Sequence, residues 1–139
     1  MNVAELYGQK TRVRVLGVLA LENSFLFVNH AGLNAENVFW HFPGGGIDAN
    51  ETIKNALIRE FREETGLEIE ILNYLGIREY VKAPLHAVEL YFSVKIISGQ
   101  LMVGHDPELN IIKDVAYLGK DELLKIPENQ RSSSIFDFI

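Results

Sequence analysis

Three glutamates of the sequence have a spacing that suits a metal site. They are Glu60, Glu63 and Glu64. In an α-helix, side chains three and four residues apart lie on one face, so these carboxylates would form one acidic surface. Like-charge repulsion destabilises such a surface unless a cation compensates it. Oxygen ligands suit a hard divalent ion, and the predicted ion is Mg²⁺, with Mn²⁺ as a substitute.

Arg59 is the nearest basic residue that can organise these carboxylates. It precedes Glu63 by four residues and follows Glu51 by eight. A guanidinium at this spacing can hold a carboxylate in place without itself contacting the ion. The alternative is that the helix is an exposed, salt-bridged surface, with Gly44-Gly45-Gly46 as a simple turn before it.

The sequence marks both ends of the helix that would carry the glutamates. Thr52 can cap its first turn, and Gly66 can end it in the left-handed conformation, giving about thirteen helical residues. A second helix is predicted over residues 120–126. Phe136, Phe138 and Ile139 of the chain's last residues are expected to dock on the body.

Strands are predicted where β-branched and aliphatic residues dominate. Two strands within residues 11–28 are separated by Glu22-Asn23-Ser24, and further strands are expected at 38–42, 68–77, 89–97, 100–103 and 114–118. Ser98-Gly99 is predicted to form a hairpin turn. This order is not the regular alternation of a doubly wound parallel sheet, so it predicts an α/β fold with a mixed sheet between helices.

Composition limits the classes of partner. With 139 residues, 47% of them hydrophobic, a single domain spanning residues 1–139 is expected. The net charge of -6 disfavours long nucleic acid but allows a small phosphorylated ligand bridged by a cation. Cysteine is absent, and neither a signal peptide nor a membrane span is recognisable, so a cytoplasmic location without a membrane partner is predicted. The sequence allows a homodimer.

The spacing of these residues resembles the signature of a known family. Gly45, five residues, Glu51, seven residues and then Arg59-Glu60-Phe61-Arg62-Glu63-Glu64-Thr65-Gly66-Leu67 are similar to the Nudix box, G-x5-E-x7-R-E-U-x-E-E-x-G-U, where U is bulky and apolar. Every specified position is filled. The preceding Trp40-His41-Phe42-Pro43-Gly44 also resembles the approach to that box.

The resemblance implies a fold, an activity and roles for the box residues. Nudix hydrolases have an α/β/α sandwich with a mixed sheet, and they cleave diphosphate linkages in nucleoside diphosphates joined to another group or in nucleoside triphosphates. By resemblance, Glu60 and Glu64 are direct metal ligands, Glu63 is a direct or water-mediated ligand, and the Gly45 carbonyl is a further one. Glu51 and Arg59 brace the loop against the helix. The general base is Glu60, Glu63 or a residue of a later loop, Glu108 or Asp106.

Substrate contacts outside the box are less specified by the sequence. Arg14 and Arg78 can reach phosphates, although each can instead form a surface ion pair. Aromatic residues that can stack on a base, with core packing as the alternative, are Trp40, Phe39, Tyr80 and Tyr91. No motif selects the substrate. A catalytically inactive Nudix module that senses a nucleotide or regulates a partner, and an isomerase on the same fold, are the alternatives to a hydrolase.

Overall fold

The computed structural model describes residues 5, 8, 10–104 and 112–139. The helices are α1, Ile53–Thr65, and α2, Lys120–Leu124. The strands are β1 Thr11–Leu21, β2 Ser24–His30, β3 Phe39–His41, β4 Gly44–Gly46, β5 Leu67–Lys82, β6 Leu85–Gly99 and β7 Ile112–Gly119. Two short 3-10 turns follow α2, at Glu128–Gln130 and Ile135–Asp137.

The strands form one mixed sheet with the order β3-β2-β1-β6-β5. β1 runs parallel to β6, whereas β5 and β6 form a long antiparallel hairpin. β4 pairs antiparallel with β1, and Val15 lies opposite Gly45 in that pairing. β7 extends the sheet on β2. The predicted α/β fold with a mixed sheet is therefore confirmed.

A hydrophobic cluster packs on each face of the sheet. On one face, Leu57 and Phe61 of α1 are buried against strand residues such as Leu19. The Phe61 ring fills the space where a side chain at Gly17 would lie, which lets the helix approach β1 closely. On the other face, Leu123 of α2 is buried together with residues that follow it in the chain. Helices on both faces make the fold an α/β/α sandwich.

Of the three C-terminal residues predicted to dock on the body, Phe138 and Ile139 pack against the second cluster, whereas Phe136 is exposed. Ile135 is fully buried, and the Phe138 ring stacks on Tyr91 with 4.1 Å between ring centroids. Phe138 also occupies the space beside Gly76. The end of the described chain therefore closes the side of the sheet opposite α1.

The predicted ends of α1 are confirmed. The Thr52 hydroxyl accepts a hydrogen bond from the Asn55 backbone N–H at 3.1 Å, and Gly66 adopts a φ of 76° as the helix ends. The second helix ends at Leu124, two residues earlier than predicted. In the ranges that the structure describes, no helix is long and apolar enough to cross a membrane.

The strand predicted over residues 100–103 and the hairpin turn at Ser98-Gly99 are both wrong. β6 ends at Gly99, and the next residues cap the end of α1 instead of pairing with a strand. The Met102 N–H donates to the Thr65 carbonyl and the Gly104 N–H to the Glu64 carbonyl, each at 2.9 Å. These bonds satisfy helix carbonyls that would otherwise lack a partner, a tertiary effect that local composition does not reveal.

Candidate active site

One cavity of about 560 Å³ lies between α1, β4 and the adjoining ends of β1, β5 and β6. Its walls carry opposite charges. The acidic wall comes from α1 and the loop after β4, and it contains Asp48, Glu60, Glu63 and Glu64. The basic wall comes from the residues around the starts of β1 and β6, and it contains Lys10, Arg12, Arg14 and His86.

The glycines of β4 bring the backbone into contact with the acidic wall. Gly44 has a φ of 149°, which an L-residue with a side chain rarely adopts, and a Cβ there would overlap the Val15 carbonyl. A Cβ at Gly45 would lie 2.6 Å from the carboxyl carbon of Glu60. The Glu60 carboxylate therefore packs directly against the Gly45 backbone.

Glu64 is the most buried carboxylate of the acidic wall, with 4% of its surface exposed. Its Oε1 accepts a hydrogen bond from the Gly44 N–H at 2.7 Å, and its Oε2 lies 3.7 Å from His30 Nε2. The hydrogen bond fixes the carboxylate to the strand that precedes the loop. Position 64 thus joins the end of α1 to β4.

Glu60 holds its proton more tightly than an ordinary glutamate. Burial and the charge of Glu64 raise the pKa of Glu60 to about 8, against the opposing charge of Arg59. The protein's own cations therefore compensate this wall only in part. A bound cation would favour the ionised form of Glu60.

Arg59 connects the loop, the helix and the acidic cluster. Its Nε and Nη2 donate to the two oxygens of Glu51 at 2.7 and 2.9 Å, and Nη2 also donates to the Gly46 carbonyl at 3.1 Å. Nη1 donates to Glu60 Oε1 at 3.0 Å and to Glu63 Oε2 at 3.2 Å. The hydrogen bond from Arg59 lowers the pKa of Glu51. The predicted contact between Glu51 and Arg59 is thus present.

The described residues contain no three His, Cys, Asp or Glu side chains that converge as a ready metal site. The donor chemistry nevertheless fits a hard cation, because the acidic wall offers carboxylate oxygens next to a backbone carbonyl. Two of those carboxylates, Glu60 and Glu63, bond to Arg59. A cation would share these groups with the guanidinium.

A buried hydrogen-bond network lies beneath the basic wall. Arg14 Nη1 donates to Glu89 Oε2 at 2.6 Å, and His41 Nε2 lies 3.3 Å from the same oxygen. The Tyr91 hydroxyl donates to Glu89 Oε1 at 3.1 Å and is 2.6 Å from the Ser134 hydroxyl. Burial opposes the charge on Glu89, but the hydrogen bond from His41 and the positive charge of Arg14 hold its pKa at about 2. Glu89 is therefore a buried, ionised partner of Arg14.

The structure separates the residues predicted to bind substrate. Arg14 lines the main cavity, as do Phe39 and Tyr80. Trp40 is absent from that lining, and it packs partly buried against the second hydrophobic cluster. Arg78 forms an ion pair with Asp137 beside a smaller adjoining cavity. Tyr91 is fully buried.

The residues predicted to supply a base from a later loop, Glu108 and Asp106, lie outside the described residues. Other cavity residues were missed by the sequence reasoning, namely Arg12, His41 and Glu89. A signal for them exists. Arg12 and Arg14 alternate with valines in β1, and Glu89 is a charged residue between the apolar residues Val88 and Leu90.

Comparison with known proteins confirms the resemblance seen in the sequence. The NUDIX domain model matches residues 10–138, so the chain belongs to the Nudix family. A Nudix hydrolase from Nitrosomonas europaea shares the fold with a TM-score of 0.75 and 22% identity, over 92% of this chain and 85% of that one.

Two curated relatives cover smaller parts of the chain. The ADP-ribose pyrophosphatase of Methanocaldococcus jannaschii is 30% identical over 96 residues, which are 68% of this chain and 56% of that protein. An NAD-capped RNA hydrolase of Pseudomonas aeruginosa is 31% identical over 88 residues, which are 63% of this chain and 29% of that protein. The chain therefore spans about half of the first relative's length and less than a third of the second's.

Proposed function

We propose that this protein hydrolyses a diphosphate linkage in a nucleoside diphosphate joined to a second group, or in a nucleoside triphosphate, with a divalent cation. The observation that carries the proposal is the contact between Glu60 and the Gly45 backbone, in a cavity that Glu63 and Glu64 also line. Carboxylate and carbonyl oxygens thereby border a space of about 560 Å³, a volume in the range of small-ligand sites.

The proposed ion is Mg²⁺, and Mn²⁺ is its expected substitute. Glu60 and Glu64 would hold it directly, Glu63 directly or through water, and the Gly45 carbonyl would be a further ligand. When bound, such an ion neutralises charge on phosphate oxygens and lowers the pKa of a bound water. The raised pKa of Glu60 supports this assignment, because an ionised carboxylate in this wall needs a counter-charge.

The chain's own residues would then orient the reactants and move one proton. Water attacks phosphorus, the bond from phosphorus to the bridging oxygen breaks, and the water proton passes to a carboxylate. Glu60, Glu63 and Glu108 are the proposed acceptors. The products are a nucleoside monophosphate and a phosphorylated second group, or pyrophosphate from a triphosphate.

Two curated relatives, the ADP-ribose pyrophosphatase and the NAD-capped RNA hydrolase, favour a nucleoside diphosphate joined to a second group. ADP-ribose and the NAD cap, the substrates named for them, both contain such a linkage. Among the residues predicted to bind substrate, Arg14 lines the cavity, whereas Trp40 and Arg78 lie outside its lining. We therefore assign a substrate contact to Arg14 alone among these three.

The test combines ion binding with a substrate panel. The melting temperature of the purified chain is measured against Mg²⁺, Mn²⁺ and Ca²⁺, and hydrolysis is followed in the same buffers with product identification. The panel contains ADP-ribose, NAD, nucleotide sugars, dinucleoside polyphosphates and nucleoside triphosphates. We expect all three ions to raise the melting temperature, because they bind the folded state alone. Mg²⁺ and Mn²⁺ should also support turnover.

Two other outcomes would contradict the proposal in different ways. Stabilisation by Mg²⁺ and by a nucleotide, without hydrolysis of any panel member, would favour a nucleotide-sensing module over an enzyme. The absence of both stabilisation and turnover would overturn the assignment of the glutamates to an ion.

A further inference from the structure

The Arg12 guanidinium occupies the space beside Gly46 in the lining of the cavity. A Cβ built on Gly46 would lie 2.5 Å from Arg12 Nη2 and 3.5 Å from its Cζ. The φ of Gly46 is not positive, so a residue with a side chain could adopt its backbone conformation. A side chain at position 46 would therefore have to displace the Arg12 guanidinium, the end of a flexible side chain.

This placement brings Arg12 next to the acidic wall. Gly46 belongs to β4, and its carbonyl accepts a hydrogen bond from Arg59 Nη2 at 3.1 Å. Arg12 and Gly46 both line the cavity. The Arg12 guanidinium thus lies beside Gly46, and the preceding residue, Gly45, contacts Glu60.

Arg14 has the same orientation along β1 but a different environment. Side chains two residues apart on a strand face the same side, and both arginines line the cavity. Arg14 is paired with buried, ionised Glu89 at 2.6 Å, which compensates much of its charge. The Arg12 guanidinium lies beside Gly46 of β4, where a phosphate held by the acidic wall would lie within its reach.

We propose that Arg12 binds a phosphate oxygen of the substrate and that Gly46 is needed to make room for its guanidinium beside the loop. The inference rests on the proposed function, because it assumes that the substrate diphosphate lies against the acidic wall. A planar guanidinium suits this task, since it can donate two parallel hydrogen bonds to a phosphate. Arg12 is then a substrate-binding residue, and Gly46 determines where its guanidinium lies.

A double-mutant cycle tests this coupling. The variants are Arg12→Gln, which removes the charge, Gly46→Ala, which moves the guanidinium, and the combination of both. Charged hydrogen bonds contribute about 1.5–3 kcal/mol, so Arg12→Gln should lower kcat/KM by roughly 10- to 100-fold. Gly46→Ala should lower kcat/KM in the parent chain and have little further effect in the Arg12→Gln background. Melting temperatures with and without Mg²⁺ should stay close to those of the parent chain.

Arg62→Gln is the matched control for a lost positive charge. Arg62 also belongs to the box helix, but it is exposed and paired with Glu68, so its variant should retain the parent kcat/KM. Multiplicative losses in kcat/KM from the two cavity variants would overturn the proposal, because Gly46 would then act independently of Arg12. A parent-like kcat/KM in Arg12→Gln would overturn it as well.

A binding measurement separates this inference from the proposed function. The non-hydrolysable probe is an ADP analogue with a methylene group in place of the bridging oxygen, titrated by calorimetry in the presence of Mg²⁺. If the parent chain binds this probe without hydrolysing any nucleotide, the proposed function fails. The double-mutant cycle can then still be measured through the affinity for the probe. Arg12→Gln should weaken binding about 10-fold or more. Equal affinity in both proteins would refute the role of Arg12.

Discussion

Arg59 and Glu51 form a two-point hydrogen-bonded pair, with distances of 2.7 Å from Nε and 2.9 Å from Nη2. The same carboxylate accepts the Asp48 N–H at 3.0 Å, so Glu51 holds both the helix and the loop. The remaining guanidinium nitrogen donates to Glu60 and Glu63. The position of the proposed ion-binding carboxylates therefore depends on Arg59, which is not itself a proposed ion ligand.

Glu51→Gln should weaken this arrangement without emptying the space. The amide carries no negative charge. It offers one acceptor atom to the Arg59 guanidinium, which in the parent chain donates to both oxygens of Glu51. Loss of such supporting partners typically costs about 10- to 100-fold in metal affinity or activity. The measurements are the Mg²⁺ concentration that gives half-maximal thermal stabilisation, and turnover at saturating Mg²⁺.

The same helix supplies a control for that experiment. Arg62 donates to Glu68 through Nε at 2.7 Å and through Nη2 at 2.6 Å, but this pair is exposed and outside the cavity. Glu68→Gln should leave ion affinity and turnover near the parent values, because exposed pairs contribute little. Equal effects of Glu51→Gln and Glu68→Gln would show that the first pair has no special role.

Glu64→Gln should remove most turnover and keep the fold. The glutamine oxygen can still accept the hydrogen bond from the Gly44 N–H, now 2.7 Å, while the buried charge is lost. Removal of a main electrostatic contribution typically lowers kcat by about 10²–10³. Activity of the purified variant at saturating Mg²⁺ on the best panel substrate is the readout, and a parent-like rate would argue against an ion at Glu64.

The box helix could be predicted from sequence because its signals are local. Thr52 and Gly66 define its ends, and the spacing of Glu60, Glu63 and Glu64 defines its charged face. Pairings distant in sequence were not accessible in this way. Glu89 follows Arg14 by 75 residues, and only the parallel pairing of β1 with β6 makes Arg14 and Glu89 neighbours.

The wrong prediction at residues 100–103 has a related cause. Leu101, Met102 and Val103 have the composition of a short strand, but β6 has already ended, and Met102 N–H bonds to the end of α1. Trp40 also shows this limit. Its aromatic character suggested stacking on a base, whereas the alternation along β3 directs Phe39 and His41 to the cavity.

A comparison of Glu63→Gln and Glu108→Gln would identify the proton acceptor. A general base contributes about 10²–10⁴ to the rate, and a base outside the ion site can be removed without changing ion affinity. If Glu108 is the base, its variant should lose rate at unchanged Mg²⁺ affinity. A full rate in Glu108→Gln would instead favour Asp106 or a glutamate of the box, and a strong rate loss at unchanged Mg²⁺ affinity in Glu63→Gln would then favour Glu63.

The buried His41 should make the stability of the fold depend on pH. Burial lowers the pKa of His41, although the hydrogen bond to Glu89 partly offsets this effect. Nδ1 accepts the Phe42 N–H at 2.9 Å, so the single proton of the neutral ring lies on Nε2, which faces Glu89 at 3.3 Å. A second proton would have to replace the hydrogen bond to Phe42. The folded protein therefore favours neutral His41.

His41→Gln isolates the effect of this titration on unfolding. Because the folded pKa of His41 lies below its unfolded value of 6.5, the stabilising contribution is complete above pH 6.5 and is lost as the pH falls. The parent chain should lose free energy of unfolding relative to His41→Gln between pH 6.5 and 5, by up to about 1.4 kcal/mol per pH unit. Glu89, with a pKa of about 2, releases its own contribution only below pH 4.5, outside this window.

Urea unfolding of both proteins from pH 8 to 5 is the measurement, and taking their difference cancels the contributions of groups that they share. Parallel stability curves over this range would mean that His41 is not held neutral by the fold.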